Sequence, residues 1–129
     1  MFEPNSWLVL GGALTLLVAL VHSVLGEILI FQRMRSGALV PTKGQPVLRE
    51  RHVRILWATW HIVSLLGFGM AAVLLGMALL PQWELRDLLL RAVSLSMGAS
   101  SALVLFATKG MQPGWLGLLL VAISAWMAV

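Results

Sequence analysis

Apolar residues run through this chain in long unbroken blocks, separated by short polar connections. Four blocks stand out: Trp7–Phe31, Ile55–Leu80, Leu88–Phe106 and Met111–Val129. A helix needs about 20 apolar residues to cross the hydrocarbon of a bilayer, and each block reaches or approaches that length. Strands facing lipid would alternate apolar and polar positions over about ten residues, and no such alternation is present. The pattern therefore predicts an all-α membrane protein, a bundle of four transmembrane helices in a single domain spanning residues 1–129.

Composition strengthens this expectation. Of 129 residues, 60% are hydrophobic and 11% charged, too little charge to cover a water-soluble domain of this size. The opening "MFEPNSW" carries Glu3 and no basic residue, and the block behind it is too long for a secretory h-region, so no cleaved leader is expected. There is no cysteine, which removes disulfides, thiolate metal sites and thiol nucleophiles.

Charge then sets a direction. The first connection, residues 32–54, carries Arg33, Arg35, Lys43, Arg49, Arg51 and Arg54, and the third adds Lys109. Around the second connection stand only Arg86 and Arg91. The positive-inside rule places the first and third connections in the cytoplasm and both termini outside. The net charge of +4 is thus a topology signal before it is a nucleic-acid signal, and no nucleic-acid partner is expected. The basic loop is read as partly extended and attracted to anionic lipid headgroups.

Small residues recur at helical steps. Gly12, Thr15, Ala19, His22 and Gly26 form one stripe, and Ser94, Gly98, Ser101, Leu105 and Thr108 another. Gly69, Gly76, Gly114 and Gly117 offer similar close approach. Such stripes let membrane helices pack without a hydrophobic driving force, within one chain, in a homo-oligomer or against a partner membrane protein.

Candidate chemistry lies where ionisable groups interrupt the apolar blocks. At 1.5 Å of rise per residue, Glu27 falls roughly 6 Å and His22 roughly 13 Å inside the end of the first block. His61 falls roughly 9 Å inside the start of the second, so the three share one layer toward the cytoplasm. Such groups are costly in hydrocarbon and normally face the interior with partners. His22 and Glu27 are rotated by about 140° around their helix, so they edge a wide site rather than converge on one point. Ser23, Arg54, Trp57, Trp60, Ser64 and Ser101 are the supporting residues.

Several readings of this layer follow. One is purely structural, with Glu27 paired to Arg54 or Arg51 and the histidines bonded to serines or backbone. A second is ligation, with His22 and His61 as axial ligands of a b-type haem, or joined by Glu27 around a divalent metal, or lining a small-ligand site. A third is proton-coupled transport with Glu27 titrating, a parallel of shape alone to the small multidrug transporters. An accessory or scaffold subunit of a membrane complex, using the small-residue faces, is the non-catalytic alternative. Nothing in the pattern places a nucleophile beside a base, which argues against an enzyme.

"HSVLGE" in the first block, "RILWATWH" opening the second and "TKGMQPGW" before the fourth resemble a group of small uncharacterised bacterial inner-membrane proteins. The likeness runs over nearly the whole chain through short motifs. It implies a four-helix protein of the bacterial inner membrane and directs attention to His22, Glu27, Trp60 and His61. No activity comes with it.

Overall fold

A computed structural model describes residues 3–44 and 46–129. It is built of four α-helices, α1 (Ser6–Leu29), α2 (Glu50–Leu79), α3 (Leu85–Thr108) and α4 (Gly114–Met127), with a short 3-10 turn at Phe31–Met34. No strand occurs among the described residues.

The helix ends explain how the observed elements differ from the expected blocks. Asn5 caps α1, its Oδ1 accepting from the amides of Trp7 and Leu8, so the helix opens one residue early. α2 begins at Glu50 rather than Ile55. Glu50 and Arg54 stand one turn apart and bind through Arg54 Nε at 2.8 Å, so polar residues read as loop are the first turn of a helix. α3 starts at Leu85 and ends where Lys109 and Gly110 both adopt left-handed backbone, with the Gly110 amide closing on the Leu105 carbonyl. Pro113 precedes α4, which is limited to 14 residues.

Helices α1, α2 and α3 are long and apolar enough to cross a membrane. At about 1.5 Å per residue, α4 extends roughly 21 Å, short of a hydrocarbon core of about 30 Å. The fourth apolar block, Met111–Val129, is therefore observed as a shorter apolar helix, which runs back along α3 until the Ala128 carbonyl accepts from Arg86. Large apolar side chains line the outer surfaces, including Leu14, Leu17, Val18, Val63, Met70, Leu95, Leu120 and Ile123. Contiguous apolar surface of this kind suits lipid rather than water.

Packing follows chain order: α1 lies on α2, α2 on α3, and α3 on α4. Neither α3 nor α4 forms an extended face with α1, so the bundle is an open row with α1 and α4 at its edges. Ser94 donates to the Ala122 carbonyl and Ser101 to that of Trp115, fastening α3 to α4. At the far end, Arg91 lies over Trp83 and Trp126 at 5.0 and 5.8 Å from the ring centroids.

The first connection is folded rather than extended. Thr42 and Lys43 return their amides to the Met34 carbonyl, and Arg35 Nε donates to the Leu39 carbonyl. This tucks Val40 and Phe31 against Trp57, Ala58, Val104 and Ala107, closing the basic end of the row with an apolar cluster. Arg35 is thereby turned back toward α1.

Candidate functional site

Trp57, His61 and Ser64 share a face of α2, as three- and four-residue steps dictate. Opposite them on α1 stand Ser23 and Glu27, one turn apart. The Glu27 carboxylate collects three donors: the Trp57 indole N–H, His61 Nε2 at 2.8 Å and the Arg35 guanidinium. His61 Nδ1 lies 2.7 Å from Ser23 Oγ, Ser23 donates to Ser64 Oγ at 2.7 Å, and Ser64 donates to the Ala19 carbonyl at 2.7 Å. An unbroken chain of hydrogen bonds thus runs from Arg35 at the basic end to the backbone of α1.

The chain includes a residue absent from the expected set. Glu27 pairs with Arg35, not with Arg54 or Arg51. Arg54 is occupied elsewhere, forking onto Glu50 and donating to the Ala107 carbonyl at 3.0 Å. Ser101 serves the α3–α4 contact and takes no part. Arg35 could be found only by knowing that the 3-10 turn reverses the chain.

His22 belongs to the other side of the α1–α2 seam. Its ring stacks on Trp60 at 4.5 Å with planes 10° apart, and Trp60 Nε1 donates to the His22 carbonyl at 3.1 Å. Gly26 makes this possible, because a Cβ there would collide with the indole. His22 faces a trough lined by Trp60 and Val63, whereas His61 faces one lined by Ser23, Ser64, Leu65 and Phe68. His22 Nε2 is buried without a hydrogen-bond partner.

Both ring nitrogens of His61 are already bonded, so ligation by His22 and His61 together would require His61 to release Ser23 or Glu27. No cluster of three or more metal-binding side chains occurs among the described residues. Ser23, His61 and Glu27 do follow one another as hydroxyl, imidazole and carboxylate, the order of an activated nucleophile, which the linear pattern hid. Ser23 lies inside a helix, however, where backbone amides are committed to the preceding turn and are not free to hold an oxyanion.

Proton counting shows what the arrangement can do. A hydroxyl has one proton to donate, and neutral imidazole has one N–H. Ser64 gives its proton to Ala19 and Ser23 gives its proton to Ser64, so Ser23 must accept from His61 Nδ1–H. The contact between His61 Nε2 and Glu27 then needs a second proton. All four bonds coexist only when His61 and Glu27 together hold one proton more than neutral imidazole beside ionised carboxylate. With one proton fewer, one of these four bonds has no hydrogen to make it.

The serine end of the chain opens into a trough of about 450 Å³ between α1 and α3, floored by α2. Its walls are Leu65, Phe68, Ala99, Ala102 and Leu103, with Ser23, His61 and Ser64 as its polar members. The chain matches no protein-family model, no curated protein and no solved structure.

Proposed function

We propose that this is a multi-pass protein of a bacterial inner membrane, with both termini outside, whose α1–α3 trough binds a small amphipathic molecule. The observation that carries the reading is the placement of Ser23, His61 and Ser64 in an otherwise apolar trough. Ligand pockets commonly combine apolar walls with a few convergent polar groups that fix orientation. Ser23 and Ser64 each retain an acceptor lone pair, so the molecule carries a hydroxyl or amine donor on an apolar body. His22, on the opposite side of the seam, supports Trp60 rather than the bound molecule.

The experiment compares small molecules that co-purify with the wild-type protein and with Ala102→Phe, both in mild detergent, by mass spectrometry. Ala102 is exposed in the trough, so the larger ring fills it without disturbing the core. An amphipathic donor present with the wild type and depleted at least tenfold from the variant is the expected result. Identical extracts would reject the trough as a binding site. An absorption spectrum and elemental analysis of the same sample test ligation, and a stoichiometric haem or metal would replace the present reading.

A further inference from the structure

Away from this trough, at the basic end, the first turn of α2 and the turn after α3 enclose a cavity of about 300 Å³. Arg51, His52 and Arg54 line it from α2 and Gln112 from the α3–α4 connection, while Ile55 and Met111 supply apolar surface. We propose that this cavity holds the phosphate headgroup of an anionic lipid, an inference that rests on the membrane reading above.

Charge is the first argument. Arg51 has no carboxylate within ion-pair distance among the described residues, and its Nε reaches only His52 Nε2 at 3.4 Å. Arg54 is buried, and three of its five N–H donors go to Glu50 and the Ala107 carbonyl. Two remain for an oxyanion. Glu50 cancels one positive charge at the rim, which leaves Arg51 as the uncompensated cation.

Backbone adds to it. α2 opens at Glu50 with no side-chain cap on Arg49, and the first-turn residues Arg51 and His52, near the positive end of its dipole, line the cavity. A phosphate accepts from guanidinium, imidazole, amide and backbone N–H alike, whereas a carboxylate has fewer oxygens to satisfy them. Position selects the lipid over a free phosphate ester. The cavity lies where the apolar runs of α2 and α3 give way to polar residues, and Ile55 and Met111 give it apolar lining for the start of an acyl chain. Basic pockets at this level of a membrane protein are suited to anionic headgroups.

The test reconstitutes the full chain in phosphatidylcholine nanodiscs containing phosphatidylglycerol and counts retained lipid by native mass spectrometry. Wild type retains phosphatidylglycerol over phosphatidylcholine. Arg51→Gln lowers that preference about fivefold, the worth of one arginine near an anionic surface. Arg33→Gln, an exposed cation at the same end outside the cavity, leaves it unchanged. Equal losses in both variants would mean diffuse surface charge and overturn the site, as would displacement of the lipid by millimolar glycerol 3-phosphate. Failure to enter nanodiscs overturns the membrane reading and the site together. Entry without retained lipid overturns the site alone.

Discussion

Ser64 and Ser23 show how a polar side chain is accommodated in an apolar seam. Each hydroxyl finds a partner on the other helix, and the last proton goes to the spare lone pair of the Ala19 carbonyl. Interhelical bonds of this kind in membrane proteins are worth about 0.6 kcal/mol each on average, because the unfolded state in lipid also finds partners. A double-mutant cycle of Ser23→Ala and Ser64→Ala, read by unfolding in detergent, should give a coupling energy of about 0.5–1 kcal/mol. Additive single effects would mean that the two hydroxyls do not bond. Glu27 makes the same point for charge: a partly buried carboxylate is tolerated because Arg35, Trp57 and His61 together supply its donors.

Among the elements, glycines separate tight seams from open faces. A Cβ at Gly26 would strike the Trp60 indole, and one at Gly12 would strike the Leu75 side chain. At Gly117, in α4, a Cβ would meet nothing within 4 Å. The small-residue pattern grouped Gly114 and Gly117 with the packing glycines; the structure leaves both faces open. Gly26→Ala should therefore cost about 1–3 kcal/mol through forced displacement of Trp60. Gly117→Ala should stabilise α4 by about 0.5–1 kcal/mol, since alanine restricts the unfolded chain and fits the helix. Thermal unfolding of the two variants in one detergent checks both signs. A destabilised Gly117→Ala would show that α4 packs on something along this face.

At the scale of the whole molecule, seven of the nine lysines and arginines gather at one end of the row, with Arg86 and Arg91 at the other. The start of α2 and the end of α3 meet there, tied by Arg54 donating to the Ala107 carbonyl. The absence of cysteine makes orientation directly measurable, because single cysteines can be placed in an unmodified background. The proposed orientation, with both termini outside, predicts that Gln82→Cys reacts with a membrane-impermeant maleimide in intact cells and that Gly37→Cys reacts only after lysis. The reverse pattern would invert the topology. Gly37 suits the purpose because a Cβ there meets nothing within 4 Å, although its φ of +94° means the loop must relax slightly. The open row has a further consequence: α1 and α3 share no extended face, and the trough lies between them over α2.

Helix number, the apolar character of α1, α2 and α3, and the layer occupied by Glu27 and His61 were legible in the linear chain. Hydrophobic continuity and 3.6-residue periodicity are local properties, and local properties survive without tertiary information. The 140° between His22 and Glu27 already separated them, and the structure agrees by setting His22 against Trp60 while Glu27 meets His61. What the chain could not show was which arginine reaches Glu27, since Arg35, Arg51 and Arg54 all follow within reach of the same end. A 3-10 turn and a folded loop chose Arg35, and a one-turn Glu50 pair removed Arg54. Lys109, Gly110 and Pro113 mark a turn and a helix start in the linear chain as well, and α4 opens there, at Gly114. The order of the proton chain was also decided only in three dimensions, because hydrogen bonds between helices depend on register and rotation that spacing along one helix leaves free.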